Sequence, residues 1–329
     1  MRKHVLSGMR PTGKLHLGHL VGALSNYVKM QDEYDCYFMI ADWHALMSDY
    51  ENPGDIKQNS IEIVKDWVAS GIDPGRSVIF IQSMVPEHLE LAMVFGLLTP
   101  LGLLERCTTY KEQMRELEGR MLATYGFLGY PVLQAADIAL YNADAVPVGM
   151  DQLPHLELTR EIVRKFNSLY GKEIFKEPEA ILTKVAKLVG LDNRKMSKSY
   201  GNFISLSDPE KVVRQKVFSM YTDPNRVRAD IPGNVDGNPV FIYHDIFNPN
   251  KEEVEDLKSR YREGKVGDVE VKEKLASALN AHLGPIRAKR ENITDEMALG
   301  IVRDGAVRAS RAAKKTMSKV KKCLHQIIE

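Results

Sequence analysis

The sequence predicts an α/β protein in which a doubly wound parallel sheet is followed by a smaller α-helical domain. In the first half, short and almost continuously apolar runs alternate with amphipathic segments. In the second half, long charged helical patterns replace them. The chain has 329 residues, which is too many for one small core, so two domains are expected.

Four runs have the composition of strands covered on both faces. They are HVLSGM (4–9), CYFMIADW (36–43), SVIFIQS (77–83) and DAVPVG (144–149). A helical stripe follows the first of them, formed by Leu17, Leu20, Val21, Leu24 and Val28. Residues 55–71 begin near an aspartate and end at a glycine, as capped helices do. This alternation predicts a Rossmann-like sheet, with functional residues just after each strand.

The pattern changes after residue 202, where no strong strand is predicted. Residues 207–227, residues 251–283 and the chain after Thr294 are expected to be helical. Seven Lys or Arg residues and no acidic residue lie between Gly305 and Ile328. Such a run is either a solvated helix face or a surface that binds phosphates.

Composition excludes several classes of protein. The net charge is only +1, with 44% hydrophobic and 27% charged residues, so no global basic field indicates a nucleic-acid binder. Cys36, Cys107 and Cys323 form no disulfide or zinc pattern, which favours a reducing cytosol. We find neither a signal peptide nor a run of about 18 apolar residues, so no membrane association and a cytoplasmic location are expected.

The first strand leads into GMRPTGKLHLGH (8–19), which nearly matches a phosphate-binding P-loop. Leu15 stands where that motif needs Ser or Thr, and Pro11 removes a backbone donor. His16 and His19 share a helix face, but spacing suggests no third metal ligand. A helix start favours anions, and Gly18 between the histidines permits the close approach of a flat ligand.

Two further polar features have a structural and a functional interpretation. DNRKMSKSYGN (192–202) contains Lys195 and Lys198, which indicate either a solvated loop or a site that meets negative charge. Tyr130, Gln134 and Asp137 fall on one helical face. They form either a buried hydrogen-bond network or a ligand site, because polar groups on an inward face are costly unless they are paired.

The HLGH and KMSKS motifs together resemble the two signature motifs of class I aminoacyl-tRNA synthetases. Further strings resemble the bacterial type of tryptophanyl-tRNA synthetase over nearly the whole chain, namely ADWHAL, YPVLQAADIALYNADAVPVGMDQ and MYTDPNRVR. The resemblance implies ATP-dependent activation of L-tryptophan, with release of pyrophosphate, and transfer to tRNA(Trp). The alternative is a tyrosyl-tRNA synthetase, because Gln134 stands where many relatives have methionine and Tyr-x-x-x-Gln-x-x-Asp also occurs in tyrosyl enzymes.

The resemblance also implies residue roles. Catalysis is assigned to His16, His19, Lys195 and Lys198. ATP binding is assigned to Arg10, Pro11, Thr12, Gly18, His19, Gly149, Met150, Asp151, Leu188, Lys195, Met196, Ser197, Lys198 and Ser199. Tryptophan binding is assigned to Leu6, His44, Tyr130, Gln134, Asp137, Val146, Val148 and Gln152, with Asp137 accepting the indole N–H.

The expected organisation has four parts. They are a Rossmann-like catalytic domain for ATP and tryptophan (1–190), a mobile loop or hinge (191–203), a helical anticodon-binding domain (204–296) and a basic C-terminal helix (297–329). Mg²⁺ is expected to arrive with ATP, and a homodimer is implied. No zinc is expected, and no iron–sulfur cluster, since residues 108–322 contain no cysteine.

Overall fold

The structure is a computed structural model that describes residues 2–107, 110–111, 114, 123–182, 188–198, 200–223, 225–226 and 228–326. The chain forms two compact units. The first, called the sheet unit, comprises Met1–Thr12, Asn26–Lys184 and Thr294–Glu329. The second, called the helical unit, comprises Gly13–Ser25 and Val185–Ile293.

The sheet unit contains five parallel strands in the spatial order β3-β2-β1-β4-β5. They are β1 (His4–Met9), β2 (Asp35–Ile40), β3 (Val78–Ile81), β4 (Ala145–Val148) and β5 (Glu179–Leu182). The expected parallel, doubly wound sheet is confirmed. The predicted second strand is too long, because residues 36–43 leave the sheet at Ile40. Asp42 there begins a helix, and its Oδ1 accepts from the backbone N–H of Ser83 at 3.0 Å.

Helices connect the strands. They are α1 (Leu17–His19), α2 (Ser25–Glu33), α3 (Asp42–Asp49), α4 (Ile56–Ala69), α5 (Glu87–Leu98), α6 (Leu101–Glu105), α7 (Tyr125–Leu128), α8 (Tyr130–Leu140) and α9 (Leu153–Tyr170). A π-helical turn, Leu20–Leu24, joins α1 to α2. Asp55 caps α4 by accepting from the Gln58 N–H at 2.9 Å, which explains why the helix begins there.

The remaining helices follow β5. They are α10 (Glu210–Phe218), α11 (Pro239–Phe247), α12 (Lys251–Arg262), α13 (Asp268–Glu291) and α14 (Asp295–Cys323). The predicted helix at 207–227 is shorter than expected, because it ends at Phe218. The predicted helical segment 251–283 is two helices, with Gly264 at a φ of 69° in the turn between them.

The C-terminal helix α14 packs on the sheet rather than forming a separate segment. Its small side chains, including Ala306, Ala309 and Ala313, belong to the apolar core of the sheet unit. Helix and strand approach so closely at Gly305 that a Cβ there would lie 1.8 Å from the Ile79 carbonyl oxygen. The structural division therefore differs from the expected ranges at the C-terminus, where α14 is part of the sheet unit.

The helical unit has its own core, to which α10, α11, α12 and α13 contribute buried side chains such as Val217, Tyr243, Leu257 and Leu279. It also includes residues 13–25, which the expected ranges placed in the first domain. Backbone hydrogen bonds explain the difference, since Leu17 N donates to Ile204 O and Leu206 N donates to Leu15 O, both at 3.0 Å. Among the described helices, none is long and apolar enough to cross a bilayer.

Candidate functional site

A cavity of about 320 Å³ opens in the sheet unit beside β1 and β4. These two strands are neighbours in the sheet, but the chain runs from β1 outward through β2 to β3 before it returns to β4. Doubly wound sheets bind ligands at this kind of reversal, beyond the carboxyl ends of the strands. Leu6 of β1 and Val148 of β4 supply apolar walls to the cavity.

All eight residues predicted to bind tryptophan line this one cavity. They are Leu6, His44, Tyr130, Gln134, Asp137, Val146, Val148 and Gln152. Arg10, predicted on the ATP side, lines it as well. Sequence reasoning missed other members of the wall, including Met39, Met47, Phe127 and His155. Phe127 and Met47 carried no pattern of their own, whereas His155 follows Gln152 at helical spacing and could have been found.

Helix α8 presents the polar side of the cavity. Tyr130, Gln134 and Asp137 lie along it as predicted, and Pro131 occupies its first turn, where no backbone donor is needed. All three line the cavity. Every residue of this helix except Gln134 is buried. The polar side chains of Tyr130, Gln134 and Asp137 are thus carried by a helix that is packed into the apolar core of the sheet unit.

Asp137 is buried and accepts hydrogen bonds from three side chains. Gln82 Nε2 lies 2.8 Å from Oδ1 and 3.0 Å from Oδ2. His88 Nδ1 lies 2.6 Å from Oδ1, and His44 Nε2 lies 2.8 Å from Oδ2. Burial raises the pKa of the Asp137 carboxyl, but hydrogen bonds from His44 and His88 bring that pKa down to about 2. The cavity therefore contains an ionised acceptor at neutral pH.

A second hydrogen-bonded chain crosses the cavity wall. The Tyr130 hydroxyl lies 2.9 Å from His155 Nε2, and His155 Nδ1 lies 2.9 Å from Gln152 Oε1. Burial lowers the pKa of His155 to about 4, so its ring is neutral and carries one proton. Because the amide oxygen of Gln152 only accepts, that proton is on Nδ1, and Tyr130 donates to Nε2.

Residues 149–151 follow β4 directly. Gly149 precedes a 3₁₀ turn over Met150–Gln152, and a Cβ at Gly149 would lie 2.6 Å from Asp151 Oδ1. The exposed carboxylate of Asp151 accepts from Gln152 Nε2 at 2.9 Å. Arg10, Pro11 and Thr12 follow β1 in the same way, and Thr12 N donates to Arg10 O at 2.9 Å. Both turns place polar groups at strand ends, as expected.

In the helical unit, the His16 and His19 rings contact each other at the start of α1, with centroids 3.8 Å apart and ring planes tilted by 45°. The His16 backbone N–H donates to His19 Nδ1 at 3.2 Å. Burial and the nearby Lys198 ammonium together lower the pKa of His16 to about 4. Burial, the neighbouring His16 and Lys198 lower the pKa of His19 to about 3. Both rings are therefore neutral at pH 7, and each carries one N–H group that can donate a hydrogen bond.

Gly18 is needed for this packing. A Cβ at Gly18 would lie 3.0 Å from the His16 ring and 3.1 Å from Met196 Sδ. His16 Nδ1 is buried and has no hydrogen-bond partner within the part of the chain that the structure describes. The HLGH turn and the lysine loop are thus in direct contact, and a buried polar atom lies at that contact.

In the lysine loop, residues 192–202, the side chain of Asn202 is hydrogen-bonded to three other residues of the loop. Asn202 Oδ1 accepts from the Ser197 N–H at 2.9 Å, and its Nδ2 donates to Asp192 Oδ1 at 2.7 Å and to Lys195 O at 3.2 Å. Lys195 is exposed, while Lys198 Nζ donates to Gly13 O at 3.0 Å. Two ammonium groups therefore lie on a short ordered loop next to the histidine turn.

Two further residues were predicted to bind ATP, Leu188 and Ser199. Leu188 is half-buried and precedes the antiparallel bridge between Val189 and Lys195. Ser199 lies outside the described residues. No group of three His, Cys, Asp or Glu residues that could hold a metal ion occurs among the described residues.

The chain is similar to known proteins in sequence and in fold. The sequence matches the family described as tRNA synthetases class I (W and Y) over residues 2–284. It is 50% identical to the tryptophan–tRNA ligase of Treponema pallidum, with 97% of this chain and 96% of the relative covered. It is 47% identical to that of Thermotoga maritima, with 98% of each covered.

A solved structure is similar along its whole length. The tryptophanyl-tRNA synthetase of Campylobacter jejuni, in complex with ADP and tryptophan, superposes with a TM-score of 0.89 at 34% identity. The match covers 98% of this chain and 99% of the other.

Proposed function

The chain belongs to the class I tRNA synthetases of the tryptophan and tyrosine type, and we propose that it is a tryptophan–tRNA ligase. It activates L-tryptophan with ATP to tryptophanyl-adenylate and pyrophosphate, and then transfers tryptophan to tRNA(Trp). The observation that carries this proposal is the buried, ionised Asp137 in a cavity with apolar walls. An indole nitrogen only donates, so a carboxylate is its matched acceptor.

Selectivity follows from the same arrangement. Phenylalanine has no donor for Asp137, and sites built to bond such a donor reject analogues without it by about four to five orders of magnitude. Tyrosine is the harder competitor, because its hydroxyl can also donate to a carboxylate. Its rejection must come from the shape of the cavity, where Leu6, Val146 and Val148 form the wall. Gln134 lines the cavity too, and this is the feature shared with tyrosyl enzymes.

Activation requires stabilisation of a leaving group. A carboxylate oxygen of tryptophan attacks the α-phosphorus of ATP, the bond from that phosphorus to the bridging oxygen breaks, and pyrophosphate leaves with the added charge. Lys195 and Lys198 meet that charge as ammonium donors, and neutral His16 and His19 donate hydrogen bonds to phosphate oxygens. Transfer follows when a ribose hydroxyl at the tRNA 3′ end attacks the carbonyl carbon and AMP leaves.

ATP binding is distributed over short segments. In the sheet unit we assign it to Arg10, Pro11, Thr12, Gly149, Met150 and Asp151, with the Asp151 carboxylate accepting from ribose hydroxyls. In the helical unit we assign it to Gly18, His19, Leu188, Lys195, Met196, Ser197, Lys198 and Ser199. Met196 Sδ packs beside Gly18, which joins the lysine loop to the histidine turn in this assignment. Mg²⁺ arrives with the ATP phosphates in this proposal, and neither zinc nor an iron–sulfur cluster is part of it.

Recognition of tRNA is assigned to two surfaces. Helix α14 turns its small side chains toward the sheet and leaves Arg311, Lys314, Lys315, Lys319 and Lys322 exposed. Phosphates bind such a row through charge alone. The helices of the helical unit, α10 to α13, are proposed to bind the anticodon.

A homodimer is proposed on the basis of an exposed apolar stripe. Leu89, Met93 and Leu97 recur every four residues on α5, and Met93 and Leu97 are 61% and 72% exposed. Large side chains at this spacing are costly to leave in water, and a second copy of the chain would cover them. We further propose a cytoplasmic location, where ATP and tRNA are present.

The test of the proposed function is ATP–pyrophosphate exchange with each of the twenty amino acids, followed by charging of tRNA(Trp). Exchange should depend on tryptophan, and phenylalanine should give none. Faster exchange with tyrosine than with tryptophan would overturn the assignment in favour of the tyrosyl alternative.

A further inference from the structure

A chain of buried polar side chains lies behind Asp137. Gln82 and His88 are fully buried, and neither is among the described residues that line the cavity. Tyr141 is buried beyond His88, with its hydroxyl 2.8 Å from His88 Nε2. Gln82 follows β3 and His88 lies on α5, so two other elements hold the carboxylate that α8 supplies.

The direction of these hydrogen bonds follows from the charge of the carboxylate. An ionised carboxylate only accepts, so His88 Nδ1 carries a proton and donates to Oδ1 at 2.6 Å. The Gln82 amide donates to both oxygens. The opposite orientation of the amide would place its oxygen next to the carboxylate oxygens, and these negatively charged acceptors would repel each other. Gln82 and His88 thus bind Oδ1 of Asp137 from outside the cavity.

The Oδ2 side is different. Apart from Gln82, its described donor is His44 Nε2 at 2.8 Å, and His44 is a residue of the cavity wall. A ligand in the cavity can therefore reach Oδ2 and share it with His44 or displace it. His88 has no comparable access to the cavity.

We propose that His88 is a positioning residue for tryptophan recognition: pinned between the Tyr141 hydroxyl and Asp137 Oδ1, it holds the carboxylate with Oδ2 turned to the cavity for the indole N–H. This inference rests on the proposed role of Asp137. It assigns to a residue without substrate contact a share of the selectivity for an N–H donor. A purely structural His88 would affect all amino-acid substrates alike.

The experiment separates the two nitrogens of the ring. His88→Asn places an amide nitrogen where Nδ1 stands and keeps the donor to Asp137. His88→Gln places it where Nε2 stands and keeps only the contact with Tyr141. Each variant is assayed by ATP–pyrophosphate exchange with tryptophan and with 3-(benzothiophen-3-yl)alanine, in which sulfur replaces the indole N–H. The readout is the selectivity ratio, which is kcat/KM for tryptophan divided by kcat/KM for the sulfur analogue.

His88→Gln is expected to lower this ratio by about tenfold or more, the effect of one hydrogen bond to a charged group. His88→Asn is expected to retain the ratio within about threefold, because the donor to Oδ1 remains. In the double variant of His88→Gln and Asp137→Asn, the ratio should equal that of Asp137→Asn alone, because both changes act through one carboxylate. Equal losses for both substrates in His88→Gln, or additive losses in the double variant, would overturn the proposal.

Asp137→Asn alone distinguishes failure of this inference from failure of the proposed function. If Asp137→Asn leaves the ratio unchanged, the indole N–H is not read by Asp137 and the recognition scheme itself is wrong. If it lowers the ratio while His88→Gln does not, only the role of His88 is refuted. If His88→Gln does not fold, Tyr141→Phe provides a second test, because it removes the hydroxyl that holds His88 Nε2. A lowered ratio supports the proposal, and an unchanged ratio contradicts it.

Discussion

The cavity beside β1 and β4 and the lysine loop differ in how their polar groups are held. Asp137 is buried and is hydrogen-bonded to Gln82, His44 and His88. Lys195, by contrast, is exposed, on a loop closed mainly by hydrogen bonds to Asn202. A preset buried acceptor suits recognition of a substrate that does not change charge. Ammonium groups on a surface loop suit a charge that develops only during reaction. We therefore expect substitutions in the cavity to change substrate binding and substitutions in the loop to change the rate of catalysis.

The largest effect is expected from the loop. Lys198→Ala should lower the maximal rate of tryptophan-dependent pyrophosphate exchange by about 10²–10³-fold, because one donor to the developing charge is lost. Lys195→Ala should act in the same direction. The control is Lys211→Ala, which removes an exposed lysine from α10. A loss confined to the KM for tryptophan would assign Lys198 to binding instead.

A smaller effect is expected from the cavity. Asp137→Asn keeps the shape but replaces a charged acceptor by an amide, so kcat/KM for tryptophan should fall by about 10–100-fold. Most of this decrease should come from a higher KM for tryptophan, with a smaller change in kcat. Steady-state exchange at several tryptophan concentrations measures it. An effect on kcat alone would show that the carboxylate acts in the chemical step.

The scaffold of the cavity depends on the close contact of α14 with β3. Gly305→Ala is expected to destabilise the protein by about 1–3 kcal/mol, since its Cβ would overlap the Ile79 carbonyl. The matched control is Gly300→Ala on the same helix, where a Cβ meets nothing within 4 Å. The control should stabilise the protein by about 0.5–1 kcal/mol. Chemical denaturation compares the two, and equal stabilities would contradict the packing described here.

Buried histidines make the cavity sensitive to acid. His155 has a pKa of about 4 when folded, below its ordinary 6.5, so the unfolded chain binds a proton that the folded chain does not. Its contribution to stability is therefore lost as pH falls from about 6.5 toward 4. Between pH 7 and pH 5, the free energy of unfolding should fall by about 1–2 kcal/mol more in the wild type than in His155→Gln. Parallel pH curves would show that His155 titrates normally.

The smallest effect is expected at the basic face of α14. Joint replacement of Lys314, Lys315 and Lys319 by alanine should raise the KM for tRNA(Trp) several-fold and make charging less dependent on salt, because fewer counterions are released. Pyrophosphate exchange without tRNA serves as the internal control and should not change. Identical charging at all salt concentrations would mean that the row is only a solvated helix face.

Much of the sheet was predictable because its strands are buried on both faces. Strands β1, β3 and β4 lie where the apolar runs predicted them, to within about two residues at each end. Strand β5 was missed, since it has only four residues, all half-buried or exposed, and its apolar run is only three residues long. The structure groups residues 13–25 with the helical unit, whereas the sequence suggested the first domain, because their backbone pairing with residues 204–206 has no signature in the side-chain pattern.

The site was predictable where it lies on a single helix or follows a motif. Tyr130, Gln134 and Asp137 share one face of α8, and a helical period is enough to find them. Gln82 and His88 were not found, although both bond to Asp137, because about fifty residues separate them from it. Their position near the carboxyl end of β3 was the available signal.

The most direct test of the separation between recognition and catalysis is a single-turnover measurement on two variants. Tryptophan affinity at equilibrium and the rate of adenylate formation at saturating substrates are determined for Lys198→Ala and Asp137→Asn. We predict that Lys198→Ala lowers the rate with nearly unchanged affinity, whereas Asp137→Asn lowers the affinity with a much smaller change in rate. Parallel losses of affinity and rate in both variants would contradict the account.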